Sequence, residues 1–141
     1  MHSDAARPQL QTQVDHAHAQ DHVRFDFEKL DCYQVALQLN ALASQLVPRG
    51  HREFRGQLTR ASLSILLNCA ESAGRTSPAD KARFFSIARG SAMECAAIVD
   101  VLVSGGIAPI GLCREARVLL IRVAQMLTKL QARCRARVGV A

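Results

Sequence analysis

The side chains best suited to chemistry are two carboxylates and three guanidinium groups within one stretch, residues 57–94. Glu71 and Glu94 occur there with Arg60, Arg75 and Arg83, and with the amide of Asn68 and the hydroxyl of Ser91. Paired carboxylates on adjacent elements can share a proton or hold a cation, and so do acid–base or metal work. Metal sites in bundle cores use Glu-x-x-His repeats, which this sequence lacks. With three arginines nearby as counter-ions, the set reads instead as a hydrogen-bonded charge network at a helix or subunit junction. Such a network can fix register. No catalytic residue and no cofactor is expected, and the chain is read as non-enzymatic.

The other reactive residue types are scattered. No Ser/His/Asp arrangement and no phosphate-binding glycine pattern is present, and His51 is the one histidine beyond the N-terminal segment. His16, His18 and His22 lie on a polar stretch without periodicity. A metal site needs ligands held in place by groups behind them, so none is expected there. The cysteines, Cys32, Cys69, Cys95, Cys113 and Cys134, are odd in number and widely spaced, with no Cys-x-x-Cys pair. They signal neither a zinc site nor a redox motif, and they suit a reducing compartment. The first two dozen residues carry no apolar stretch of the kind a secretory signal needs. The most apolar run, 32–48, is interrupted by Gln34, Gln38, Asn40, Ser44 and Gln45, so no membrane span is expected. A soluble cytoplasmic protein is the expectation.

The elements that must position these residues are helices. Apolar residues make up 49% of the chain and aromatics only 4%, which favours helices packed on one ordinary core over sheet. Residues 1–26 are expected to be a disordered N-terminal arm, 27–136 a four-helix bundle and 137–141 a frayed basic tail. Periodicity and stop signals predict helices over about 27–47, 53–73, 78–104 and 110–135. Pro48 and Gly50 end the first, Gly74 the second, and Gly105-Gly106 the third. Ser77 and Pro78 suit the cap and first turn of the third. Gly74-Arg75, just before that helix, could hold an anion, although Gly74 is read more simply as a C-cap.

Core stripes follow from the spacing. Leu30, Tyr33, Leu37 and Ala41 form one on helix 1, and Leu58, Ser62, Ile65 and Cys69 one on helix 2. Helix 3 contributes Phe84, Ala88, Ser91, Cys95, Ile98 and Leu102, and helix 4 Leu112, Ala116, Leu119, Val123, Leu127 and Leu130. Four such helices joined by short loops predict an all-α, antiparallel up-down-up-down bundle. Further apolar residues lie away from these stripes: Val35, Leu39, Leu42 and Leu46, then Leu63 and Leu67, then Val118 and Ile121. A helix that is apolar on two sides is central or shared between subunits, so these residues are assigned to an oligomer interface.

Charge is segregated along the chain. Residues 1–110 hold eleven Lys/Arg and eleven Asp/Glu, which cancel. Residues 111–141 hold seven basic side chains, Arg114, Arg117, Arg122, Lys129, Arg133, Arg135 and Arg137, against Glu115 alone, so 7 − 1 gives the whole net +6. A charge excess on one segment attracts polyanions, and these seven are the expected nucleic-acid contacts. With few aromatics free to stack on bases, binding is expected to be phosphate-dominated, to structured RNA or duplex. The alternative is a protein–protein adaptor whose basic rim docks a nucleic-acid enzyme such as a reverse transcriptase.

The middle of the chain resembles the four-helix bundle proteins of the 23S rRNA-intervening-sequence family. The family pattern is met at Gln57, Leu58, Arg60, Ala61, Ser64, Ile65, Asn68, Ala70, Glu71, Gly74 and Arg75. A following block is met at Arg83, Phe84, Ile87, Ala88, Gly90, Ser91 and Glu94. Cys69 stands where the pattern has Ile, and Ser72 where it has Gly. The likeness spans about 30–130 and is specific in its middle part. It implies a homopentameric ring of bundles without enzymatic activity. It also implies a distant likeness to the accessory protein of diversity-generating retroelements, a basic pentamer that contacts nucleic acid and a polymerase.

Overall fold

The computed structural model describes residues 23–139. It is all-α among these residues, with four helices: α1 (Asp31–Leu46), α2 (Arg52–Gly74), α3 (Pro78–Ser104) and α4 (Ile110–Ala136). A short 3-10 helix, Asp26–Lys29, precedes α1. Residues 1–22 of the expected arm 1–26, with its histidines His16, His18 and His22, lie outside the described residues, as do the last two residues of the expected tail, while Asp26 already belongs to the 3-10 helix. No described helix is long and apolar enough to cross a membrane.

Local chemistry sets the helix ends. Ser77 caps α3, its Oγ accepting the Asp80 N–H at 3.1 Å, and Pro78 opens the first turn as expected. At the other end of α3, Gly106 takes φ +60 and Ile107 N–H donates to the Leu102 carbonyl at 2.9 Å. That left-handed closure is open to glycine and costly for most other residues. Gly74 behaves differently from the expected C-cap. It stays helical, and α2 stops because Arg75 turns extended (φ −85, ψ 148) on the way into the Ser77 cap. Helix 1 was expected from residue 27 but begins at Asp31, because Leu30 is extended and separates the 3-10 turn from α1.

Each helix packs on its sequence neighbours, and α4 returns to pack on α1. Single bonds mark the levels. Between α1 and α2, the Cys32 and Cys69 sulfurs are 3.6 Å apart, and Asn40 Nδ2 donates to Ser62 Oγ at 3.0 Å. From α2 to α3, Ser64 and Ser91 hydroxyls meet at 2.8 Å, and Ser72 Oγ donates to the Lys81 carbonyl at 3.0 Å. Between α3 and α4, Arg89 Nε donates to Thr128 Oγ1 at 2.9 Å, and Arg117 lies 3.4 Å from Asp100.

The core reverses the expectation for the first helix. Val35, Leu39, Leu42 and Leu46, assigned above to a subunit interface, are 4%, 1%, 5% and 1% exposed and pack inside the chain's own bundle. Leu30, Tyr33, Leu37 and Ala41, assigned to the core, are half-buried. The inward side also carries Cys32, Ala36 and Ala43, small residues that let α1 approach its neighbours closely. The half-buried side is flanked by Gln34, Gln38, Asn40 and Ser44. On α2 the expected stripe Leu58, Ser62, Ile65 and Cys69 is buried as read, with Ala61 and Leu66 beside it. On α3, Phe85 rather than Phe84 fills the core. On α4 the seam runs through Cys113, Ala116, Leu120, Val123, Leu127 and Gln131, leaving Leu112, Leu119 and Leu130 at its half-buried edge.

Candidate nucleic-acid interface

The basic side chains of α4 are held by a helix that its apolar seam anchors to both α1 and α3. The six on α4, Arg114, Arg117, Arg122, Lys129, Arg133 and Arg135, and Arg137 just past its end are all exposed. Only Arg117 enters an ion pair among the described residues, with Asp100, and that pair is solvated on both sides. Arg122, Lys129 and Arg133 share one flank, seven and four residues apart, since residues near two turns and one turn apart stack on one side of a helix. Glu115 is the one acidic residue on α4.

The C-terminal end of α4 meets the N-terminal end of α3 in an open cleft of about 620 Å³. Its floor is apolar, from Ala79, Ala82, Ile87 and Val138. Its polar groups are Arg83, Ser86, Gln131 and Arg135. Gln131 is 9% exposed, and its amide makes no hydrogen bond among the described residues. Arg83 and Arg135 come from different helices, so the fold doubles the charge at this end. The first-turn N–H groups of α3 add a partial positive charge there. Sequence reasoning missed Ser86 and Gln131. The signal for Gln131 was its place four residues after Leu127, a polar residue on an apolar seam.

The expected polar network separates into unconnected parts. Asn68 Nδ2 donates to the Ser64 carbonyl at 2.8 Å and to Ser64 Oγ at 3.1 Å, and Ser64 reaches Ser91 on α3. This chain is half-buried and contains no charge. Glu71 pairs with Arg75 one turn later, in a solvated contact. The Arg75 and Arg83 guanidinium carbons stand 4.9 Å and 4.5 Å from the centroid of the half-buried Phe84 ring, within cation–π range. Arg60 and Glu94 are exposed and join no hydrogen bond or ion pair among the described residues. A buried charge without a partner is costly, so these long side chains run out to water. Among the described residues, the charge network expected to include Glu94 is therefore not formed. The described residues contain no cluster of three or more His, Cys, Asp or Glu that could hold a metal.

Of the expected interface residues, those outside α1 lie on the surface. Leu63, Leu67, Val118 and Ile121 are 43%, 59%, 59% and 47% exposed. On α3, Ile87 is exposed as well. Met93, Val101 and Ile110 add to the exposed apolar surface of α3 and α4.

A search of curated proteins returned no match. The family model described as 23S rRNA-intervening sequence protein matches residues 28–129, from the 3-10 turn through most of α4. That span holds α1, α2, α3 and most of α4, the Ser64–Asn68–Ser91 contacts and the basic flank as far as Lys129. The match covers well over half the chain, and the protein belongs to the 23S rRNA-intervening sequence protein family.

Proposed function

We propose that this protein is a non-enzymatic, oligomeric, antiparallel up-down-up-down bundle that binds nucleic acid through α4. Structured RNA or duplex is the ligand class. The carrying observation is that six exposed basic residues of the α4 segment have no acidic partner among the described residues. Such side chains are free to exchange water and counter-ions for phosphates. The cleft between the α3 and α4 ends extends this basic surface with Arg83. The antiparallel arrangement is supported by the contacts: an early residue of α1 meets a late one of α2 at Cys32–Cys69, and a late residue of α3 meets an early one of α4 at Asp100–Arg117. Oligomer formation is supported by the exposed Leu63, Leu67, Ile87, Val118 and Ile121, more apolar surface than water-facing helices usually carry. The family resemblance makes a homopentameric ring the leading stoichiometry. Five unpaired thiols favour the cytoplasm as its compartment.

The test is a salt titration of binding to mixed duplex and to structured RNA. Changing Arg122, Lys129 and Arg133 together to Gln should lower the slope of log affinity against log salt by about 2.7, at about 0.9 per phosphate lost. The fold should survive, since all three are exposed. If the wild type shows no binding at about 50 mM salt, where electrostatic affinity is strong, the reading fails. A second reading, a protein adaptor, is favoured by Ile110, Val118 and Ile121, exposed on the helix that carries Arg114 and Arg117. Capture of the same protein partner from nuclease-treated and untreated lysate would select it.

A further inference from the structure

The bundle buries a dithiol that the nucleic-acid reading does not use. Cys32 sits in the first turn of α1 and Cys69 in the last part of α2, 1% and 0% exposed. Their sulfurs lie 3.6 Å apart, within thiol–thiol hydrogen-bond range. No other cysteine pair among the described residues makes such a contact. We propose that Cys32 and Cys69 form a reversible disulfide on exposure to a peroxide, clamping the start of α1 to the end of α2. The inference is independent of any ligand of α4.

The two thiols differ in character. The contact between the two sulfurs lowers the Cys32 pKa, against its burial and with help from backbone N–H groups of the first turn. The same contact, together with burial, pushes the Cys69 pKa up. Cys32 is the attacking sulfur because it lies in the first turn of α1, where a helix N-terminus favours a thiolate. Burial pushes the Cys95 thiol up to about 12 and also raises Cys113, which keeps both protonated. The chemistry balances with one peroxide. The Cys32 thiolate attacks a peroxide oxygen, the O–O bond breaks, and the departing hydroxide takes a proton to leave as water. The resulting Cys32 sulfenic acid is attacked by Cys69: the S–S bond forms and the S–O bond breaks. The hydroxide lost takes the Cys69 proton, giving a second water.

Access comes from the weak start of α1. Leu30, its N-cap, offers no side-chain cap, so the first N–H groups of the helix have no side-chain partner there. Opening this turn exposes Cys32 without unfolding the bundle. Closing the link then requires the sulfurs to approach from 3.6 Å to a bond length of about 2.0 Å.

The test treats the whole protein with hydrogen peroxide, alkylates remaining thiols under denaturing conditions, and reads intact mass and peptide maps. The expected product has lost two hydrogens, shows a Cys32–Cys69 peptide link, and reverts with dithiothreitol. Its melting midpoint should rise by about 5–15 °C, since the link closes a long loop. In Cys69→Ser, a sulfenic-acid trap should label Cys32, whereas in Cys32→Ser it should leave Cys69 unlabelled. The proposal is overturned if both thiols remain alkylatable, if the link joins other cysteines or separate chains, or if Cys69 is the one trapped. Formation that requires loss of the helical circular-dichroism signal also overturns it.

Discussion

Ser72 is the most informative single position in the α2–α3 corner, because this chain carries a hydroxyl where the family pattern has Gly. The side chain is fully buried and donates to the Lys81 carbonyl at 3.0 Å, crossing from the last turn of α2 to the first of α3. Ser72→Ala removes the donor alone. The Lys81 carbonyl keeps its own helical partner, so no group is orphaned and the cost is that of one ordinary hydrogen bond, about 1 kcal/mol. Ser72→Gly also removes the β-carbon from a helix interior, adding about 1 kcal/mol for the freed backbone. The series should therefore run from wild type through Ala to Gly in steps of about 1 kcal/mol, each lowering the melting midpoint by about 4 °C for a domain of this size. Urea unfolding of the three proteins, with a shared m-value, measures it. An Ala variant as stable as wild type would mean the hydroxyl bond contributes nothing. A Gly variant at least as stable as wild type would mean that α2 is strained by Ser72, and the reasoning would fail.

Three further outcomes follow from burial and backbone geometry. Glu94→Ala should change stability by no more than about 0.5 kcal/mol in a urea melt, because the carboxylate is solvated and unpaired; a loss of several kcal/mol would restore the charge network. Leu39→Ala should cost about 2–5 kcal/mol while Leu67→Ala leaves monomer stability nearly unchanged and weakens any self-association seen by light scattering. Gly106→Val should destabilise by about 1–3 kcal/mol, since a β-branched residue is forced to φ +60, and a neutral result would mean the turn relaxes.

Much of the architecture was legible because helix ends are written in short-range chemistry. Ser77-Pro78 and Gly105-Gly106 gave α3 its bounds, and the stripe on α2 was buried as spaced. The inward face of α1 was not legible from hydropathy alone, since two apolar stripes lie nearly opposite each other. What decided it was size: Cys32, Ala36 and Ala43 flank the inner stripe, whereas amides flank the outer one. For the site, the basic residues of α4 could be placed on exposed positions from the seam alone. The polar network could not be resolved from spacing. Arg60 and Glu94 lie on helices that the Ser64–Ser91 contact aligns, yet solvent competes for both charges. The cleft was invisible because it joins residues about fifty positions apart, at opposite ends of two helices.

The corners of the bundle differ in how much change they accept. Between α3 and α4, Gly106 is held by its backbone angle and Gly105 by crowding, because a β-carbon there would come within 3.1 Å of Ile107. Between α1 and α2, Gly50 (φ +99) is held by its backbone angle as Gly106 is, but Pro48 and Arg49 are exposed and take ordinary backbone angles. A fluorophore or an epitope therefore belongs at Arg49, with Gly50 kept, where it leaves the α3–α4 corner and the charged face of α4 untouched. The same logic favours this corner for new chain ends in a circularly permuted protein.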